Sequence, residues 1–183
     1  MEGLPFDPVL AVYARLGFAA FATDVAGIAL HPLSEHDRQL EEQNRWWQQS
    51  YQQHLPLPTF VFAGEPHLAY HYATVPSLAH AQGRQPVIWV DVHEEPYAIP
   101  VASDADQLFA AYSHYLDALR SLPDGKEEGA ALLAFPLGSA NIISRDTRLM
   151  ECFRSGLLAP FTHSAEQQEW AHNLMTTSTE LRK

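Results

Sequence analysis

Apolar positions along this chain change period twice, from helical spacing to strand-like alternation and back. In "FDPVLAVYARLGF", Val9, Val12, Tyr13 and Leu16 fall at helical spacing. Asp7 stands at the N-cap position, Pro8 at the first helical position, and Gly17 where a helix would stop. "ATDVAGIALHPLS" predicts a loop or a short strand. Ser34 opens a polar stretch, "SEHDRQLEEQNRWWQQSYQQHL", in which Leu40, Trp47, Tyr51 and Leu55 approximate one apolar face. "LPLP" at 55–58 ends it.

Strand character begins at residue 59. "TFVFAG", closed by Gly64, and "HLAYHYAT" flank the turn "GEP" and predict a hairpin. "PVIWVDVH" is the strongest strand, with Val87, Ile88, Trp89, Val90 and Val92. On it Ile88, Val90 and Val92 share one face, expected to lie under a helix, and Val87, Trp89, Asp91 and His93 share the other. "PYAIPVAS" follows, its Pro96 and Pro100 pointing to a sheet edge. Three or four strands with short turns make an antiparallel meander.

The helical period returns in "SDADQLFAAYSHYLDALRSLPDG", with Ser103 as the expected N-cap and Leu108, Phe109, Tyr112, Tyr115, Leu116 and Leu119 as one broad stripe. The tail predicts a linker and two short helices, the last opened by a Ser164–Gln167 capping box, with Trp170 and Leu174 inward. The fold class is therefore α+β: an antiparallel β-meander with helices packed on one face. The expected organisation is a single domain, 1–183, with its core at 55–120, a helical N-terminal segment at 1–54 and a helical C-terminal extension at 125–183.

Composition narrows the functions. A chain of 183 residues, 46% apolar and 18% charged, can bury a real core. Its formal net charge is −11, and the first 120 residues hold 5 basic against 14 acidic side chains. So few cations cannot neutralise a phosphate backbone, which argues against nucleic-acid binding. An acidic globule attracts basic partners. The apolar N-terminal stretch is interrupted by Arg15, Asp24 and Pro32 and starts with the acidic "MEGLPFD", so neither a membrane span nor a secretory signal is expected. The lone Cys152 allows no internal disulfide and reads as a small core residue. The expected compartment is the cytoplasm.

Catalytic signatures are hard to find. His67 and His71 have helical ligand spacing, but in a strand they would stand about 13 Å apart, too far for one ion. Asp91 and His93 could chelate weakly from one strand face. Glu94 and Glu95 are adjacent, so on a strand they point apart and cannot act as an acid–base pair on one bond. There is no G-x-S-x-G, no G-x-G-x-x-G and no G-x-x-x-x-G-K. No cofactor or metal is expected, and "HEEP" is expected to be a charged hairpin end suited to meeting a partner.

The segments "FVFAGEPHLAYHYAT" and "QPVIWVDVHEEPYAIPVASDADQLFAAYSHYLDAL" resemble the SUKH superfamily. Pro86-Val87 and Asp91 match its third strand. Val101-Ala102-Ser103 with Phe109, Tyr112, Tyr115 and Leu116 match the start and apolar face of the following helix, and "LP" at 55–56 the segment before the first strand. The resemblance covers roughly residues 55–120. It implies an α+β domain without catalytic apparatus, often a bacterial immunity protein that binds and neutralises a cognate toxin delivered by contact-dependent or type VI secretion. On that reading the partner is a toxin domain, basic at the contact. Its contacts would be Glu65, Tyr70, Tyr72, Trp89, Asp91, His93, Glu94, Glu95 and Tyr97, with Trp46 a further aromatic candidate. An adaptor or chaperone for a secretion effector, or a metal-dependent hydrolase using Asp91 and His93, are the competing expectations.

Overall fold

The computed structural model describes residues 7–17, 19–22, 26–31, 39–66, 68–122 and 134–181. Asp7 caps the first helix, α1 (Pro8–Arg15), by accepting a 2.8 Å hydrogen bond from the Val9 N–H. Its other carboxylate oxygen accepts the Gln85 N–H at 2.7 Å, which ties this helix to a loop far along the chain. Gly17 follows at φ 66°, in the left-handed region that favours glycine.

Six strands form one antiparallel sheet in sequence order: β1 (Ala20–Ala22), β2 (Gly27–Leu30), β3 (Phe60–Gly64), β4 (Tyr70–Thr74), β5 (Val87–Asp91) and β6 (Tyr97–Ala102). The meander is thus longer than the three or four strands expected. The added hairpin comes from a segment whose small residues give little alternating signal. Gly27 is required there: a Cβ on it would lie 2.8 Å from the Ala22 Cβ and 3.1 Å from the Phe21 carbonyl oxygen.

Both faces of the sheet are covered. One carries Tyr72, Val87, Trp89, Ile99 and Val101 against α3 (Ala105–Arg120), whose Leu108, Phe109 and Tyr112 are buried. The other carries Val61, Ala73, Ile88, Val90 and Ala98 against Trp47 and Phe161. This reverses the expected orientation of β5: Val87 and Trp89, not Ile88 and Val90, lie under the long helix. Helices on one face only is likewise corrected, because α2 (Gln39–Ser50) brings Trp47 to the second face. In a strand buried on both sides, period-two alternation no longer says which side meets which helix. The expected start of this second helix at Ser34 lies outside the described residues.

The cap of α3 also differs from expectation. Asp104 is the N-cap and accepts the Gln107 N–H at 3.0 Å. Ser103 is held instead by Asp146, which accepts its N–H at 2.7 Å and its hydroxyl at 3.0 Å. Asp146 also caps α5 (Thr147–Arg154) through the Leu149 N–H, just after the short α4 (Ala140–Ile143). The last helix, α6 (Ala165–Glu180), begins with the expected Ser164–Gln167 capping box.

Sheet edges invite unwanted pairing unless covered. β6 is an edge strand, as its prolines suggested, and α6 covers it. The Gln167 side-chain amide donates to the Ala98 carbonyl at 2.8 Å, and the Trp170 indole N–H donates to the Pro100 carbonyl at 2.9 Å. Trp170 and Leu174 point inward as expected, 5% and 0% exposed. Among the described residues no helix is long and apolar enough to cross a membrane.

Candidate partner-binding surface

The strand registers line up the residues singled out from the sequence. Tyr70 faces Asp91 across β4–β5, and Asp91 faces Tyr97 across β5–β6. One step inward lies the row Tyr72, Trp89 and Ile99. All six side chains are on the face that meets α3. The outer row is half-buried and the inner row interior. Tyr72 and Trp89 are 0% and 3% exposed, so they cannot serve as surface anchors. Their rings are structural: Tyr70 packs on Trp89 at 4.8 Å between centroids, and Trp89 meets Tyr97 edge-on at 6.5 Å.

Glu65 is drawn into this interior. Its carboxylate accepts the Tyr72 hydroxyl at 2.7 Å. The Trp89 indole N–H faces the same carboxylate without completing a hydrogen bond of good geometry. Among the described residues the buried Tyr112 hydroxyl nearby has no hydrogen-bond partner. Burial raises the Glu65 pKa, opposed by the bond from Tyr72. Burial, then the Glu65 charge, raises the pKa of Tyr72 and Tyr112. These phenols are therefore neutral donors at neutral pH. The group is a hydrogen-bonded core around one carboxylate, closed on one side by Phe135, whose ring lies 5.0 Å from Tyr112.

β5 ends at Asp91 and β6 starts at Tyr97, so residues 92–96 form the hairpin tip. Asp91 Oδ1 accepts the His93 backbone N–H at 2.8 Å, a local turn bond. β5 ends at Asp91, so His93 lies beyond the strand and the two do not share a strand face as expected. The side chains of His93, Glu94 and Glu95 are exposed. His67 lies outside the described residues. Among the described residues no three His, Cys, Asp or Glu converge as a metal site would require. Cys152 is half-buried, and burial followed by the Asp146 charge raises its pKa.

The tip runs directly into a groove of about 360 Å³ lined by Tyr97, Leu137, Glu166, Glu169, Trp170 and Asn173. Four of these sit at positions 166, 169, 170 and 173 of α6, one face of the helix. Glu166 and Glu169 are exposed. The Tyr97 pKa is pushed up to about 12, first by burial and then by these two carboxylates. The signal for this surface in the sequence is that i, i+3, i+4, i+7 spacing, of which the sequence reading uses only Trp170, as a core residue. A second groove, of about 410 Å³, includes Val12, Leu16 and Arg84. Its Arg84 is already held by Asp104 at 3.0 Å and Asp106 at 3.3 Å.

No family model matches this chain, and neither a curated protein nor a solved structure does.

Proposed function

We propose that this protein is an immunity-type binding module of the cytoplasm. It neutralises a toxin domain by covering the toxin's basic active-site region. The observation that carries this reading is the exposed acidic tip, with Glu94 and Glu95, continuous through Tyr97 with an aromatic groove rimmed by Glu166 and Glu169. An acidic surface speeds encounter with a basic partner, and half-buried aromatic anchors supply the affinity. The charge balance of −11 supports it, as does the resemblance of residues 55–120 to SUKH proteins.

The test is co-expression with the toxin domain that the tagged protein captures from its native lysate. Wild type rescues growth, and Glu94→Lys/Glu95→Lys loses the rescue while retaining its melting temperature. Full rescue by the charge-reversed variant would remove the tip from the interface. Capture of an effector through its transport segment, without rescue, would convert the reading to an adaptor.

A further inference from the structure

The groove beside β6 is built before any partner arrives. Trp170 is fixed in it by its indole bond to the Pro100 carbonyl, and Tyr97 by its contact with Trp89. The floor is aromatic and apolar, and the rim carries Glu166 and Glu169 one helical turn apart. Among the described residues neither carboxylate takes part in a salt bridge, and the only cation that does is Arg84. Among the described residues no salt bridge offsets these two carboxylates, which also act on the Tyr97 phenol.

We infer that this groove is the receptor for an arginine side chain of the protein partner, laid against the ring of the half-buried Tyr97 beside the nearly buried Trp170 and held by Glu166 and Glu169. The inference rests on the binding-module reading and names the partner's contact group. A cation is attracted to the faces of tryptophan and tyrosine. Of the two basic side chains, arginine is planar, more weakly hydrated and stacks on rings, and its forked donors can serve two carboxylates at once. Lysine is a compact, strongly hydrated charge that gains less from a ring floor. The volume of about 360 Å³ is at the small end of ligand pockets, the scale of one side chain rather than a helix.

The probe is N-acetyl-arginine methylamide, titrated into isotope-labelled protein while the tryptophan indole N–H signals are followed by NMR. The citrulline analogue, the same shape without the charge, is the control. The arginine probe shifts the Trp170 indole signal saturably, and citrulline binds about tenfold more weakly or less. Glu166→Gln/Glu169→Gln weakens the arginine response by a similar factor without changing the fold, since both side chains are exposed. An equal response to citrulline, or no saturable shift with either, overturns the inference. Partner capture separates the two claims. A partner held equally well by wild type and by the glutamine variant removes the groove but leaves the binding module. A saturable arginine response with no partner captured keeps the groove and sinks the module.

Discussion

The side-chain amide of Asn44 pairs with the backbone of Val61 as a neighbouring strand would. Its oxygen accepts the Val61 N–H at 2.8 Å and its nitrogen donates to the Val61 carbonyl at 2.7 Å. Pairing of β2 with β3 stops at Ala63, followed only by a bond from the His31 N–H to the Phe62 carbonyl at 2.8 Å, so Val61 lies beyond it. One residue of α2 completes the ladder where the strand runs out. Asn44 is 4% exposed, and water cannot replace it cheaply. Asn44→Ala orphans two buried backbone groups and should lower the unfolding free energy by about 2–4 kcal/mol. Urea denaturation measures this. A loss within error would mean that the strand edge rehydrates.

His31 should make stability fall on acidification. Burial, and then the neighbouring His71, lower its pKa from 6.5 to about 4, and burial lowers that of His71. Below pH 6.5 the unfolded chain binds a proton that the native His31 refuses, down to about pH 4. The contribution is complete above pH 6.5 and is lost as the pH falls through that window. At pH 5 the loss from His31 is about 2 kcal/mol. Asp7, Glu65 and Asp146 have raised pKa values and act in the opposite sense, so the wild-type profile alone mixes the terms. The comparison to make is denaturation of wild type and His31→Gln at pH 7 and pH 5. Stability should drop less in the variant, and parallel profiles would refute the assignment.

The strands β3 to β6, the stripe of α3 and the Ser164–Gln167 cap were all legible in the sequence, because each is specified by residues close along the chain. The distant partners, Val61 for Asn44 and Ser103 for Asp146, were not. Both pairings join residues 17 or more apart, and a polar residue in a polar stretch carries no mark of burial. Asn44 reads as part of the solvated face of α2 until β3 is placed against it. The orientation of β5 was lost for a different reason: "VIWV" is buried on both sides, so its pattern has no wet face to point with. The acidic tip was legible as a turn. The groove beside it joins β6 to a helix about 70 residues later, and no local pattern announces that contact.

Asp146 joins the start of α3 to the start of α5, and its replacement should loosen both. Three donors converge on its two oxygens: the N–H and hydroxyl of Ser103 and the Leu149 N–H. Asp146→Asn keeps the shape but turns one acceptor into a donor facing another donor. The expected cost is about 2–3 kcal/mol, of which a Ser103→Ala background removes only the hydroxyl share. A thermal melt of the two single variants and the double variant tests the coupling. Strict additivity would show that Ser103 and Asp146 do not act through one another.

Glu65 offers the opposite outcome, a charge whose removal is neutral or stabilising. The carboxylate is largely buried, and burial is the dominant influence on its pKa. Among the described residues the only hydrogen bond it accepts within good geometry comes from the Tyr72 hydroxyl. The charged form bears a desolvation penalty that this bond offsets only in part. Glu65→Gln keeps an acceptor for Tyr72 and discards the charge, so stability at pH 7 should be unchanged or higher. Glu65→Leu also discards the charge but strands the Tyr72 hydroxyl in a fully buried site, at a cost of about 1–3 kcal/mol. The ordering Gln at or above wild type, and Leu below Gln, is read from chemical denaturation at pH 7. A destabilised Gln variant would mean that the negative charge itself is needed, as it would be if the unpartnered Tyr112 hydroxyl and Trp89 indole N–H reach it through bridging water.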